Sequence, residues 1–269
     1  MELSACPSCG WGEGILLPVR PAVVKAGACQ VIERPRYTRC GGCSLIYAAI
    51  RQSPDELEAY HQAFQESEQR TYTVYPPPPE YLQHQAAYAE ALGLIVDRHI
   101  DVSDQHVLQL RCECGFHLAR LKDRGAEVWG LDYFPSNVQY ARENLGVSAG
   151  LMTADLASSP GLDRAYDVIL SNHLLTHALD LTETLHVMLR VLRPGGTLIL
   201  HGEPDLTIRI RQRWPKRINN YHKQLFTRES LVAVCRQVGL EADVVHTFKK
   251  GLTHAIPAHS MVAIARRRA

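Results

Sequence analysis

Two pairs of cysteines near the start of the chain have the spacing of a metal site. The first pair is Cys6 and Cys9, and the second is Cys40 and Cys43, so each pair has two intervening residues. This spacing lets a tight turn direct both thiolates at one tetrahedral ion. Glycines beside or between the cysteines permit the positive-φ backbone that such turns need. We therefore predict one structural zinc ion held by these four cysteines, with no catalysis at the metal.

Two other interpretations of the cysteines were weighed. They could be buried thiols that bind nothing, or one pair could have a redox role. The redox interpretation is disfavoured because nothing nearby resembles a thioredoxin-like unit. If zinc organises this region, loss of one ligand should destabilise residues 1–48 and leave residues 106–268 largely folded.

A second group of residues with chemical potential begins after position 105. A short apolar strand runs into a loop that ends at Gly115, and the next strand ends at Asp132. A carboxylate at that place can hold the two hydroxyls of a ribose. The alternative is a carboxylate at a helix N-terminus, stabilised there by the helix dipole.

The pattern of elements explains how these residues could meet. Short strands are predicted at 15–19 and 45–49, and helices at 54–70 and 80–98, on either side of the four prolines 76–79. From residue 106 onward strands and helices alternate, which predicts a parallel sheet covered on both faces. The predicted strands are 106–110, 127–132, 167–171, 197–201, 241–248 and 260–266, and the helices are 116–123, 135–144, 181–192 and 227–238.

The fold class that follows is α/β. We predict a Rossmann-like, doubly wound, mostly parallel sheet with a small N-terminal zinc-ribbon domain. The expected division is a zinc ribbon over 1–48, a helical linker region over 49–105 and a Rossmann-like domain over 106–269. The net charge changes sign near residue 105, which supports a boundary there.

Several segments together resemble a known family. Residues 166–180 contain a strand, a polar end and a histidine-containing turn, and residues 192–196 read Leu-Arg-Pro-Gly-Gly. The Cys-Gly-Gly-Cys segment is followed by residues 44–47, and residues 225–231 with 239–241 form the closing stretch. In order and spacing these segments resemble class I S-adenosylmethionine-dependent methyltransferases that carry an N-terminal zinc ribbon.

The resemblance implies S-adenosylmethionine as cofactor and assigns roles to particular residues. Asp132 would bind the ribose hydroxyls, and Asp155 with Leu156 would lie beside the adenine, although a plain turn residue is the alternative for Asp155. Asn172 and His173 would face the sulfonium and the acceptor. His173 is the candidate base with His222 behind it, whereas His177 is interpreted as a buried or capping histidine. The full implied cofactor set is Gln109, Arg111, Glu113, Gly115, Asp132, Tyr133, Asp155, Leu156 and Asn172.

The cofactor loop departs from the family pattern. Where the family has an acidic residue and three alternating glycines, this chain has Gln109, Arg111, Glu113 and Gly115. Each lost glycine costs about 1–2 kcal/mol if the loop keeps its left-handed shape. Arg111 paired with the cofactor carboxylate, or Glu113 with its ammonium, could return up to about 4 kcal/mol before desolvation. These two effects are of similar size, so sequence alone leaves activity open.

The function hypothesis is methyl transfer from S-adenosylmethionine to a small, anionic acceptor. Two alternatives are an inactive binding or scaffold protein with this fold, and a different reaction on the same cofactor. The acceptor region is expected within residues 203–224, which carry Arg209, Arg211, Arg213, Lys216, Arg217 and Lys223. The plainer interpretation of this stretch is a solvated basic lid.

The composition of the chain argues against several other classes of protein. The 269 residues are 46% hydrophobic and 21% charged, which argues against a mostly disordered chain. The formal net charge of +1 disfavours nucleic acid as the partner. No apolar run approaches the ~18 residues of a membrane span, and the first ten residues lack the pattern of a signal peptide. We therefore expect a cytoplasmic protein that does not bind membranes, and make no prediction of its oligomeric state.

Overall fold

The computed structural model describes residues 5–17, 37–49, 74–153, 155–206, 222–248 and 260–268. Its strands are, in chain order, β1 (Gly14–Leu16), β2 (Tyr37–Cys40), β3 (Ile46–Ala48), β4 (His106–Leu110), β5 (Glu127–Asp132), β6 (Ala149–Leu151), β7 (Tyr166–Asn172), β8 (Leu192–Pro204), β9 (Gln224–Leu225), β10 (Leu240–Thr247) and β11 (Ser260–Arg267). Its α-helices are α1 (Pro79–Val96), α2 (Phe116–Asp123), α3 (Pro135–Leu145), α4 (Leu181–Val191) and α5 (Arg228–Gln237).

The larger sheet has seven strands in the order β10-β11-β8-β7-β4-β5-β6. The five strands from β8 to β6 are parallel, and β11 runs antiparallel to both of its neighbours. This arrangement confirms the predicted α/β class with a mostly parallel sheet. The chain proceeds outward from β4 through β5 to β6 and then returns to β7 on the other side of β4. A crevice at the carboxyl ends of the strands is expected at such a reversal.

Two hydrophobic clusters cover the sheet. Val107 belongs to one cluster and Leu108 to the other, so alternate residues of β4 point to opposite faces. Helices α1, α2 and α3 pack on the face that contains Val107. Helices α4 and α5 pack on the face that contains Leu108. Both faces of the central strands are therefore buried, as a parallel sheet requires.

Element boundaries follow the predictions closely in this half of the chain. Strands β4 and β5 and helix α2 match the predicted residues, and the other helices differ by one to a few residues at their ends. Strand β6 is not predicted, because it is short and contains Gly150. Strand β8 is longer than the predicted strand 197–201 at both ends, because it begins at Leu192 and continues through Gly202 to Pro204. The predicted helix 54–70 lies outside the described residues, as do positions 18 and 19 of the first predicted strand.

The smaller sheet combines strands from the predicted zinc ribbon with a strand from the predicted Rossmann-like domain. Its order is β1-β2-β3-β9, so its fourth strand comes from residues 224 and 225, far along the chain. Cys6, Cys40 and Tyr47 belong to the same hydrophobic cluster as Leu108 of the larger sheet. The domain boundaries stay a prediction, but the N-terminal region shares a sheet and a core with the rest of the molecule.

The four predicted cysteine ligands lie together. The Sγ atoms of Cys6 and Cys43 are 3.7 Å apart, and those of Cys9 and Cys40 are 3.5 Å apart. Four thiolates about 2.3 Å from one tetrahedral ion would be separated by about 3.8 Å. The backbone N–H groups of Gly42 and Cys43 also point at the Cys40 sulfur, at 3.3 and 3.4 Å. The cluster therefore fits a zinc ion.

Positive φ angles occur at only one of the three glycines that lie beside or between the four cysteines. Gly10, which follows the first pair, has φ +71°. In the second turn the positive φ of +61° belongs to Ser44, and not to Gly41 or Gly42. These glycines have another role, because a Cβ atom on either would lie 3.3 Å from the Trp11 ring. They leave room for that ring.

Among the residues that the structure describes, none of the helices combines the length and the apolar character needed to cross a bilayer.

Three buried side chains of the sheet and its helices form a small polar group. The Tyr88 hydroxyl and His201 Nδ1 are 2.7 Å apart, and the ring of His117 lies 6.4 Å from that of His201. Neither ring nitrogen of His117 has a hydrogen-bond partner among the described residues. Burial lowers the pKa of His117 to about 3 and holds that of His201 well below its usual value. Both histidines are therefore neutral in the folded protein.

We predict that Cys9→Ser lowers the zinc content and destabilises the smaller sheet. Thiolate-to-hydroxyl exchange removes one of the four ligands, and metal binding contributes directly to folding. Because β9 belongs to this sheet, the disturbance should reach residues 222–225, further than the sequence alone predicted. Metal analysis and amide hydrogen exchange measure both effects. Cys114→Ser, which removes a buried cysteine outside the cluster, should keep its zinc. A Cys9→Ser protein with unchanged zinc and stability would contradict the assignment.

We predict that stability falls as the pH drops below about 6.5, because the unfolded chain then binds protons that buried His117 and His201 do not accept. The loss from His117 continues until the pH approaches its folded pKa of about 3. Replacing His117 by Leu should reduce the loss between pH 7 and pH 5 by about 1–2 kcal/mol. Urea titrations at both pH values measure this difference. His186→Leu, at an exposed position of α4, should behave like the wild type.

Candidate functional site

The predicted cofactor residues gather at the carboxyl ends of β4, β5 and β7. Residues 111–115 follow β4, Asp132 ends β5, and Asn172 ends β7. These strands are neighbours on either side of the point where the strand order reverses. The structure therefore brings together the residues that the sequence separates widely, at the edge where α/β proteins bind ligands.

The loop after β4 keeps a left-handed backbone at three alternating positions. Arg111 has φ +54°, Glu113 has φ +53° and Gly115 has φ +83°. Only glycine adopts this region without cost, and other residues lose about 1–2 kcal/mol each. The loop thus has the shape that alternating glycines would permit, although two of its three positions carry side chains. At Gly115 a Cβ atom would lie 2.9 Å from that of Ala141, so this position needs glycine for space as well.

Protein groups hold the two unusual positions in place. Arg111 Nη1 donates to the carbonyl oxygen of His173 at 2.8 Å, and the backbone N–H of Glu113 donates to Asp132 Oδ2 at 2.8 Å. The side chains of Asn172 and Gln85 favour the charged form of the Glu113 carboxylate and thereby act to lower its pKa. Burial, together with the nearby Asp132 charge, raises the pKa of Glu113 to about 7. Arg111 and Glu113 are thus part of the loop's own hydrogen-bond network.

Asp132 is buried and binds donors from three directions. Besides the Glu113 N–H, it accepts from the backbone N–H of Phe134 and from Asn137 Nδ2, both at 3.0 Å. Burial raises the pKa of Asp132, and these donors oppose that shift. Phe134 precedes α3, so the carboxylate does lie at a helix N-terminus, as the alternative interpretation held. Its role toward a ribose stays a prediction. Tyr133, which follows it, is half-buried against the core.

The remaining predicted cofactor residues differ in their surroundings. Asp155 is exposed and begins a short 3-10 turn, where it accepts from the Ala157 N–H at 3.2 Å and from Ser158 Oγ at 2.6 Å. These contacts are those of a turn residue. Leu156 packs partly against the core. Gln109 is buried within β4, and its Oε1 has no hydrogen-bond partner among the described residues.

Three histidines meet beside this crevice. His173 follows β7, His177 ends the 3-10 turn Leu175–His177, and His222 precedes β9. Their ring centroids form a nearly equilateral triangle with sides of 4.8, 5.1 and 5.3 Å. The structure thus joins His173 to His222 as predicted, and adds His177, which the sequence interpretation treated as structural. Its position four residues after His173 was the available signal.

The backbone around His173 depends on Gly202. His173 has φ +49°, and its N–H donates to the His201 carbonyl at 2.7 Å. Gly202 has φ +79°, and a Cβ atom there would lie 2.8 Å from Asn172 Oδ1 and 3.2 Å from the His173 Cβ. The close approach of the strands at this point therefore excludes any side chain at position 202.

Glu203 is a functional candidate that the sequence did not single out. It is fully buried at the end of β8 and accepts from the N–H groups of Leu175 and Thr176 at 2.9 and 3.1 Å. The Thr176 hydroxyl also donates to it. Burial raises the pKa of Glu203 to about 7. The carboxylate thereby fixes the turn that presents His177. A lone acidic residue in an apolar strand gave little sign of this role.

His222 is held by the smaller sheet. The Tyr37 hydroxyl of β2 donates to the His222 carbonyl at 2.7 Å, and the Ala48 N–H donates to the Lys223 carbonyl at 2.8 Å. On the other side, the Lys223 N–H donates to the Thr176 carbonyl at 2.8 Å. The segment therefore connects the cysteine region with the turn that carries His177. Of the predicted acceptor region 203–224, residues 207–221 lie outside the described residues.

The segment that carries most of these residues matches a known protein family. Residues 108–200, from β4 into β8, match the family described as Methyltransferase domain. Demethylmenaquinone methyltransferase of Thermus thermophilus is 31% identical over 110 residues, which cover 39% of this chain and 50% of that protein. Malonyl-(acyl-carrier protein) O-methyltransferase of Salmonella typhimurium is 27% identical over 158 residues, which cover 57% and 61%.

A solved structure shows the same fold. Magnesium protoporphyrin IX methyltransferase from Synechocystis PCC 6803, with bound SAH, superposes with a TM-score of 0.53 at 17% identity, over 80% of this chain and 100% of that chain. The chain spans only about a quarter to three fifths of the length of the curated relatives that it matches. The likeness therefore lies in the domain and does not extend to the acceptors of those proteins. The chain therefore contains a methyltransferase domain over residues 108–200, which supports the predicted resemblance to class I S-adenosylmethionine-dependent methyltransferases.

Proposed function

We propose that the protein transfers a methyl group from S-adenosylmethionine to a small, anionic acceptor. The observation that carries this proposal is the left-handed backbone at residues 111, 113 and 115, at the strand reversal and beside Asp132. A protein that had lost its cofactor would have no reason to keep two strained non-glycine residues in that shape. Strain of this kind persists where the surroundings impose it, and it clusters at binding sites.

The residues present fit the cofactor. Gln109 Oε1 is a buried acceptor without a partner among the described residues, at the position where the family has an acidic residue. An ammonium group such as that of the methionine part would satisfy it. Asp132 and Glu113 add negative charge near a sulfonium, and Arg111 adds a donor for a carboxylate. Gln109, Arg111, Glu113, Gly115, Asp132, Tyr133 and Asn172 would hold the cofactor, with Asp155 and Leu156 toward the adenine.

The chemistry divides between the cofactor and the chain. When bound, S-adenosylmethionine would supply an activated methyl group for transfer to the acceptor, with its sulfur as the leaving group. The chain aligns the acceptor with that group, excludes water and removes the acceptor's proton. A neutral imidazole of the histidine cluster can take this proton, and His173 is the nearest to Asn172 along the chain. His222 and His177 lie within contact distance of it.

The anionic nature of the acceptor is the finer part of the proposal. It is supported by the basic stretch 209–223 of the sequence and by Arg111 beside His173. Guanidinium groups recognise carboxylates and phosphates through paired hydrogen bonds.

We predict that wild-type protein binds S-adenosylmethionine in the micromolar range and that Arg111→Ala with Glu113→Ala weakens binding at least about tenfold. Alanine keeps the strain of the left-handed positions and removes the contacts to His173, Asn172 and Gln85. Calorimetry with the cofactor and with its demethylated product measures this. Removing the exposed Arg190–Glu183 pair by two alanines should leave affinity unchanged.

The glycine pair Arg111→Gly with Glu113→Gly distinguishes the alternatives. If the two residues are adapted contacts, this variant also binds more weakly than the wild type. A tenfold tightening would instead identify them as lost glycines of a decaying site. Absence of binding in wild type and variants alike would favour the scaffold hypothesis.

We predict that Arg211→Glu with Arg213→Glu weakens use of an anionic acceptor while cofactor affinity stays within a few-fold. Both positions lie outside the described residues, so this prediction comes from the sequence. Transfer of labelled methyl groups to metabolite fractions retained by an anion exchanger provides the measurement. Arg190→Glu, on the exposed surface of α4, serves as the control. Equal loss of cofactor binding and of transfer would show that the acceptor region lies elsewhere.

A further inference from the structure

We propose that His173, His177 and His222 bind a divalent transition-metal ion of the zinc type. The proposal further states that this ion takes an acceptor through an ionisable oxygen, and this second part rests on the proposed methyltransferase function. Metal binding itself does not depend on it. The site is separate from the cysteine cluster, because it uses three other residues from β7, the following turn and the segment before β9.

The geometry of the three rings is close to that of a tetrahedral site. One nitrogen from each ring can be chosen so that all three lie within 4.8 Å of one another. An ion about 2.1 Å from each nitrogen would place the ring centroids about 5.2 Å apart at tetrahedral angles. The observed separations are 4.8, 5.1 and 5.3 Å. The ring planes are inclined by 63–77° to one another, so the three rings are not stacked face to face.

Each histidine is presented by a backbone that has its own partners. The His173 N–H is bonded to the His201 carbonyl, and the turn before His177 is bonded to Glu203. The His222 carbonyl accepts from the buried Tyr37 hydroxyl. Ligands that are positioned before the metal arrives lose little conformational entropy when they bind it. The end of β7, the 3-10 turn and the segment before β9 each direct a histidine to the same point. Histidines that only fill space in the core would not need to meet in this way.

The charge near the cluster suits a cation. Glu203 is buried and accepts from the Leu175 and Thr176 N–H groups, so a carboxyl group lies beside the turn that presents His177. Arg111 brings positive charge near His173, but it also interacts with Glu113 and Glu203. Neutral imidazoles with nearby carboxylates are a common environment for zinc-type ions.

The number of ligands indicates what the ion would do. Structural zinc sites are closed by four protein ligands, as at the cysteine cluster, whereas catalytic sites have three and leave a position for water or substrate. An oxygen bound at that position loses its proton more readily. With the ion bound, it would replace His173 as the group that activates an acceptor with a hydroxyl, enol or carboxyl oxygen, and the proton would pass to solvent, and not to an imidazole, before the methyl transfer.

The test uses the full chain with metal removed and cobalt(II) then added in steps. Cobalt bound by thiolates gives sulfur-to-metal charge transfer in the near ultraviolet, and cobalt bound by imidazoles does not. We expect two ions per chain, the second adding visible bands without charge transfer. His173→Ala and His177→Ala, made separately so that a folding defect in one does not decide the result, should each reduce the total to one ion. Their charge-transfer band should remain. His186→Ala, which removes an exposed histidine of α4, should keep two ions.

The outcomes separate this proposal from the proposed function. Uptake of a single ion, or a second ion unaffected by both histidine variants, overturns the metal site. If either outcome is found in a preparation that still binds S-adenosylmethionine, only the metal site is refuted. The proposed methyltransferase function then stands, with His173 as a base that has no metal bound. If the second ion binds as expected and the cofactor does not, the metal site stands and the substrate class falls with the proposed function.

Discussion

The backbone of residues 222–225 is hydrogen-bonded on both sides, and the candidate site depends on this arrangement. One side pairs with β3 of the cysteine region, and the other bonds to the turn that carries His177. A segment fixed in this way cannot move without breaking contacts on both sides. The position of His222 is therefore set by the smaller sheet, whose turns in turn depend on the cysteine cluster. A metal bound by the cysteine cluster, more than one hundred residues away in sequence, would thus influence the geometry where the reaction is proposed.

The loop after β4 shows why loss of glycines need not mean loss of a site. Two left-handed non-glycine residues cost about 2–4 kcal/mol together. The Glu113 N–H is bonded to a buried carboxylate and the Arg111 guanidinium to a carbonyl, and hydrogen bonds to charged groups contribute about 1.5–3 kcal/mol each. The two sums are comparable, so the surrounding protein can hold the loop in a shape that its own sequence disfavours. Asp132 therefore has a structural role in the loop in addition to any role toward a ligand.

The sequence predicted the fold well and the site only in part, for a physical reason. The strands and helices from β4 to α3 follow local hydrophobic periodicity, which is visible in short windows. The four cysteines were predicted as a group because their spacing is itself the signal, and their sulfur atoms do lie together. The three histidines come from a strand end, a turn and a distant segment, so no spacing relates His222 to His177. Likewise, the positive φ angles at Arg111 and His173 accompany hydrogen bonds to distant segments, and residue type argued against them.

The charges of the crevice explain how one site could serve partners of opposite sign. Among the described residues, Glu113, Asp132 and Glu203 are acidic and buried near the guanidinium of Arg111. Where these carboxyl groups are ionised, their charge stabilises a positively charged sulfonium but repels an anionic acceptor. The histidine cluster lies at the side of the crevice where His173 follows β7, and it can acquire positive charge by binding a metal ion. A cation at that position would therefore compensate the acids and attract the anion, which the neutral rings by themselves would not do.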